Sequence, residues 1–112
     1  MKWIFGGRST SGAIDPREAK GRLAAGSAVV VDVREPDEWR SGHIPHARHI
    51  PLGQLQAHIP ELLAETELIF VCRSGNRSAS ATRALIKAGH PNALNMTGGM
   101  VAWKGAQLPV TT

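Results

Sequence analysis

The chain has 112 residues, 42% of them hydrophobic and 20% charged, and its 13 Lys and Arg against 9 Asp and Glu give a formal net charge of +4. That length holds one compact domain and little else, and the composition is that of a folded chain rather than a disordered one. The basic residues form no run, which argues against a nucleic-acid footprint, while the modest positive excess favours small anions as ligands; no stretch reaches the roughly 18 continuous apolar residues of a membrane span.

Residues 1–12, with Gly and Ser gathered between Gly6 and Gly12, are expected to form a flexible segment ahead of a single domain over 13–112. The apolar stretch within Met1-Lys2-Trp3-Ile4-Phe5 is too short for a signal peptide, so the cytoplasm is the expected compartment. Asp15-Pro16 sets a capping acid before a proline at the first helical position, and a helix is predicted from there through Ala19, Leu23 and Ala24 to Gly26. Ala28-Val29-Val30-Val31-Asp32-Val33 is a β-branched run without alternation, which predicts a strand buried on both faces. Glu35-Pro36-Asp37-Glu38-Trp39 starts a short helix that ends at Gly42. The prolines of His43 to Pro51 keep that stretch extended.

A helix from Leu52 to Ala64 places Leu55, Ile59, Leu62 and Leu63 on one side, with Pro60 as a candidate break. Leu68-Ile69-Phe70-Val71 is the strongest central-strand signal. It leads through a turn, Cys72 to Arg77, into a helix from Ser78 to Ala88 closed by Gly89. A last strand, Ala93 to Met96, precedes Gly98-Gly99 and a short helix through Trp103. Strands alternating with helices predict an α/β fold of three layers, a mostly parallel central sheet with helices on both faces. Ligands in such sheets bind beyond the carboxyl ends of the strands, where Cys72 sits.

Cys72 is the sole cysteine, which excludes an internal disulfide framework and a single-chain cysteine metal site. It is either an inert buried residue or a reactive thiol kept reduced. Its neighbours favour the second reading. Gly75 lets the turn curl around the sulfur, so that successive amides form an anion-binding nest at the positive end of the next helix. Arg73 and Arg77 add positive charge. Together with Ser74, Asn76 and Ser78 they make a cradle for a thiolate and for a small anionic ligand, with Cys72 as nucleophile and a lowered thiol pKa.

Four segments resemble signatures of the rhodanese family in the family's order. Val31-Asp32-Val33-Arg34-Glu35 resembles its strand-end motif, and Gly42-His43-Ile44-Pro45 with Ala47 and Ile50-Pro51 its second signature. Cys72-Arg73-Ser74-Gly75-Asn76-Arg77-Ser78 is similar to its active loop. Gly98 to Trp103, followed by Leu108-Pro109, is similar to its C-terminal signature. The resemblance implies a rhodanese-like fold and a two-step sulfurtransferase. In it, Cys72 takes the outer sulfur of a donor such as thiosulfate and passes it, as a persulfide, to cyanide or a thiol. No metal or organic cofactor is implied, the chain is expected to act as a monomer, and the acceptor is a thiol or a protein. His46 departs from the family's usual glycine.

Asp32 and Arg34 are expected to support the site, either by tying strand end to helix start or by pairing with Arg77. His43, His46 and His49 have a spacing that suggests a metal site, but Pro45 removes the helical face it would need, and His43 is expected to bond backbone instead. Trp39 and Trp103 are expected to pack. Three rival functions are weighed. A cysteine phosphatase or arsenate reductase would place the arginine one residue later, at Ser78. A non-catalytic interaction module would not need the intact loop. A sulfur relay to a partner protein shares the Cys72 chemistry.

Overall fold

A computed structural model describes residues 12–112. Along the chain run β1 (Ala13–Ile14), α1 (Pro16–Ala24), β2 (Val29–Asp32), α2 (Pro36–Arg40), β3 (Arg48–His49), a 3-10 turn (Leu52–Gln54), α3 (Leu55–Leu62), β4 (Leu68–Val71), α4 (Asn76–Lys87), β5 (Ala93–Met96) and α5 (Gly99–Gly105). The strands form one sheet in the order β1-β5-β4-β2-β3, and every pairing in it is parallel. The expectation of a flexible segment over 1–12 falls, apart from Gly12, outside the described residues.

The local signals act as expected at most helix ends. The Asp15 carboxylate accepts the Glu18 amide proton at 2.8 Å and Pro16 opens α1, while Glu35 and Glu38 form a reciprocal capping box around α2. Pro60 does not break α3. The carbonyl it deprives of a partner belongs to Gln56, an exposed residue that water can serve. The preceding turn, Leu52–Gln54, is 3-10 rather than α. β1 was not predicted: two residues carry no period, and the strand exists because Ala13 and Ile14 align with Asn95 and Met96 of β5.

Alternation along the buried strands feeds two cores. Val31, Leu68, Phe70 and Ala93 pack with Leu55, Leu62, Ala81 and Leu85 of α3 and α4. Val30, Ile69, Val71, Leu94 and Met96 pack on the opposite face with Ala19, Met100 and Trp103 of α1 and α5. The sheet is thus covered on both sides, which completes the three layers. Chain order reverses between the neighbours β2 and β4, so the switch point lies there. In register, Asp32 stands beside Val71, so the chain leaves β2 toward Arg34 and leaves β4 toward Cys72 over the same sheet edge.

Candidate active site

β4 delivers Cys72 to the carboxyl edge of the sheet, where the residue is 1% exposed. Gly75 caps α4 in the left-handed region, φ 113°, and so folds the chain back over the sulfur. Its amide donates to Cys72 Sγ at 3.1 Å and the Ser78 hydroxyl lies 3.2 Å from the same atom. Burial pushes the thiol pKa up. Hydrogen bonds from the Ser78 side chain and from the amides of Ser78, Gly75 and Ser74 outweigh that, and the thiol ends below its ordinary value. Arg73 and Arg77 are not among the leading causes of this shift. The helix also starts earlier than expected, at Asn76 rather than Ser78, so Arg77 stands in its first turn and the turn proper spans Cys72 to Gly75.

The cradle is held from below by β5 and α5. Asn95 Nδ2 donates to the Gly75 carbonyl at 3.2 Å, and Asn95 Oδ1 lies 2.6 Å from the Ser78 hydroxyl. The first amides of α5 close on the loop itself: Met100 N–H donates to the Cys72 carbonyl at 2.9 Å and Val101 N–H to the Arg73 carbonyl at 3.0 Å. Gly99 makes that approach feasible, since a Cβ there would sit 2.5 Å from the Cys72 and Arg73 carbonyl oxygens. The Gly98-Gly99 pair is a tight turn, as the sequence indicated; the backbone contact it permits was not legible there.

The arginines have separate fates. Arg77 Nη1 and Nη2 donate to the two carboxylate oxygens of Glu38 at 2.7 and 2.8 Å. This pairing, led by the hydrogen bond from Arg77, holds the Glu38 carboxyl at about 2 and raises the Arg77 guanidinium. The proposed pairing of Arg77 with Asp32 or Arg34 is therefore incorrect. Both Asp32 oxygens are taken by Arg34, whose Nε lies 3.0 Å from each and whose Nη2 lies 2.8 Å from Oδ2. Arg34 Nη2 also donates to the Gly42 carbonyl, so this buried pair ties the end of β2 to the end of α2. Glu38 was missed because its local pattern announces only a helix cap.

Arg73 is exposed and makes no ion pair among the described residues. It borders a cleft of about 260 Å³ together with Arg34, Glu38, Met100, Val101 and Lys104. Ser74 and Asn76 are exposed. Arg73 and Lys104, neither of them in an ion pair among the described residues, give this cleft its attraction for an anion, and its lining does not include Cys72 or the amides that hold the sulfur.

The other candidates are structural. His43 Nδ1 lies 2.9 Å from the Trp39 carbonyl, and the rings of His43 and His49 both stack on Trp39. Trp103 is buried and donates to the Pro109 carbonyl. His46 is exposed and has φ 68°, a conformation that glycine adopts without strain. It borders an apolar hollow beside Lys20, Leu23 and Trp103 rather than the Cys72 cradle. Among the described residues no group of three or more His, Cys, Asp and Glu is placed to hold a metal, and no helix is long and apolar enough to cross a membrane.

The chain belongs to the rhodanese family: the model of the rhodanese-like domain matches residues 15–106. A protein named sulfurtransferase from Allochromatium vinosum is 34% identical over 98 residues, covering 87% of this chain and 92% of that one. A Bacillus subtilis protein whose name marks it as a candidate sulfur carrier is 40% identical over 79 residues, covering 70% of this chain. The match spans 43% of that longer protein. Among solved structures, the thiosulfate sulfurtransferase of Pseudomonas aeruginosa superposes with a TM-score of 0.78 at 27% identity, over 88% of this chain and 20% of its own.

Proposed function

We propose that the protein is a sulfurtransferase whose domain, residues 13–112, carries sulfane sulfur as a persulfide on Cys72. The observation that carries this reading is the convergence of Ser78 Oγ and the loop amides on a buried sulfur, with a thiol pKa lowered despite burial. A thiolate held in this way is a nucleophile toward sulfane sulfur. In the first step Cys72 Sγ attacks the outer sulfur of thiosulfate; the donor S–S bond breaks and its electron pair leaves with sulfite. In the second, cyanide or an acceptor thiolate attacks the outer sulfur of the persulfide, and Cys72 departs as thiolate. Ping-pong kinetics follow.

The small, enclosed cradle suits a small anionic donor, attracted by Arg73 at its rim. A tetrahedral phosphate ester fits less well, because Arg77 is engaged by Glu38 rather than turned into the loop. The name of the Bacillus relative favours one second reading, in which a partner protein's thiol is the acceptor and the domain is a relay. Under either reading the chain works as a cytoplasmic monomer without metal or organic cofactor, and needs neither nucleic acid nor membrane.

Mass spectrometry after incubation with thiosulfate tests the shared step. One added sulfur on Cys72 is expected, removed by cyanide as thiocyanate, with Cys72→Ser folded but inactive. A folded Cys72→Ser protein that retains more than a few per cent of the transfer, or wild-type activity that collapses on chelation, overturns the proposal. A screen of acceptor thiols then separates relay from small-molecule transfer.

A further inference from the structure

Ser78 has one hydroxyl proton and two acceptors within reach, Cys72 Sγ at 3.2 Å and Asn95 Oδ1 at 2.6 Å. A hydroxyl donates once. Ser78 is fully buried and Asn95 half-buried, so the hydroxyl itself has no bulk water to donate to and must choose between the two. Neither acceptor can turn away. Asn95 Nδ2 donates to the Gly75 carbonyl at 3.2 Å; flipping the amide would set two oxygens against each other, so Oδ1 must face Ser78.

We propose that Asn95 is a positioning residue that governs the Cys72 thiolate by competing with it for the Ser78 proton. With the neutral thiol, Cys72 S–H donates to Ser78 Oγ, whose own proton goes to Asn95 Oδ1, and every group in the chain is satisfied. When the thiol loses its proton to solvent, the hydroxyl turns to Sγ and Asn95 Oδ1 loses its donor. Ionisation therefore breaks the shorter of the two bonds, and the thiolate is held less tightly than the loop alone would hold it. A less stabilised thiolate is the stronger nucleophile. Given the persulfide reading, charge moves to the outer sulfur once Cys72 is loaded, Sγ becomes a poor acceptor, and the hydroxyl returns to Asn95. It swings back to Sγ as the thiolate leaves.

The test is the pH dependence of Cys72 alkylation by iodoacetamide in purified protein. Asn95→Leu should move the profile down by about half a unit to one unit, the scale of one hydrogen bond. Asn95→Asp keeps an acceptor, now charged, and should move it up. Both variants lose the donor to Gly75, so a residue that only braces the loop would shift both profiles upward, and that result overturns the proposal. In a Ser78→Ala background, where the profile itself should rise, Asn95→Leu should add nothing; a persisting shift also overturns it. If Asn95→Leu does not fold, Asn95→Ala carries the same expected sign. Alkylation of the sulfur-free protein reads the Cys72 thiol whether or not the protein goes on to take up sulfur. An unshifted profile removes the role of Asn95, whereas a wild-type protein that takes up no sulfur removes the carrier reading alone.

Discussion

α4 and α5 begin with the same device and use it for different ends. Each follows a strand of the sheet, and each is capped by a left-handed glycine without a side-chain cap, Gly75 at φ 113° and Gly98 at φ 74°. The amides at the start of α4 converge on Cys72 Sγ, a position that can gain and lose charge. The amides of Met100 and Val101 at the start of α5 are taken by the carbonyls of Cys72 and Arg73. One helix start therefore holds the sulfur proposed to react, and the other is the clamp that closes on the same loop. A glycine-capped helix start acquires a role from what the rest of the fold brings to its open amides, rather than from its own sequence.

If α5 is the clamp, damage to it should appear first in stability. Gly99→Ala puts a Cβ 2.5 Å from backbone atoms of Cys72 and Arg73, at φ 56°. A loss of about 3 kcal/mol or more is expected by urea unfolding, because backbone on both sides of the contact has nowhere to go. The depressed Cys72 pKa should vanish with it. A near wild-type unfolding midpoint would show that the α5 contact is dispensable.

Damage to the α4 cap should instead appear first in the chemistry. Gly75→Ala makes an ordinary van der Waals contact, its Cβ 3.5 Å from the Gly98 nitrogen, but keeps an unfavourable φ. It should cost about 1–2 kcal/mol. The alkylation profile of Cys72 should move upward as the Ser74 and Gly75 amides turn off the sulfur. A Cys72 profile left unchanged would break the distinction drawn between the two helix starts.

The ion pair beside the cradle predicts an acid signature. Glu38 titrates at about 2 in the folded chain against 4.5 unperturbed, with Arg77 the largest cause. A depressed carboxylate stabilises above its unfolded value, and that contribution is lost as pH falls through the folded one. Wild-type melting temperature should therefore fall more steeply between pH 4.5 and 2 than that of Glu38→Gln. Both side chains are partly exposed, so the difference at neutral pH is about 1 kcal/mol. Arg77→Ala should lower turnover and melting temperature together.

The smallest structural effect belongs to Arg73, which braces nothing with its side chain. Arg73→Ala should leave the melting temperature within about 1 °C, since surface changes of this kind are near neutral. It should raise the donor KM several-fold and flatten its salt dependence. Matching kinetic and thermal profiles for Arg73→Ala and Arg77→Ala would erase the division between attraction and bracing.

Much of this was legible in the chain. Asp15-Pro16, the Val29–Asp32 run and Leu68–Val71 named their elements because caps and burial patterns are written within a few residues. Cys72 before a glycine-bearing turn and a helix announced a nest, and the four motifs in order announced the family. Other features were illegible for definite reasons. β1 is too short to show a period, and α4 starts two residues before Ser78 because its cap is Gly75, which has no side chain to announce it. The Asp32–Arg34 pair was expected near the site, but nothing local told that Arg34 would occupy both Asp32 oxygens and leave Arg77 to Glu38.

What the sequence determined by itself is the alternation of elements and the placing of one thiol at a strand end, since propensity, capping and burial are short-range. The tertiary structure decided the rest. Glu38 meets Arg77 across 39 positions, Asn95 meets Ser78 across 17, and α5 closes on the loop only because β5 lies beside β4 in the sheet. Those partners are polar side chains and backbone amides with several acceptors each. Which acceptor they take depends on the distances the packed sheet imposes, and no spacing along the chain encodes that.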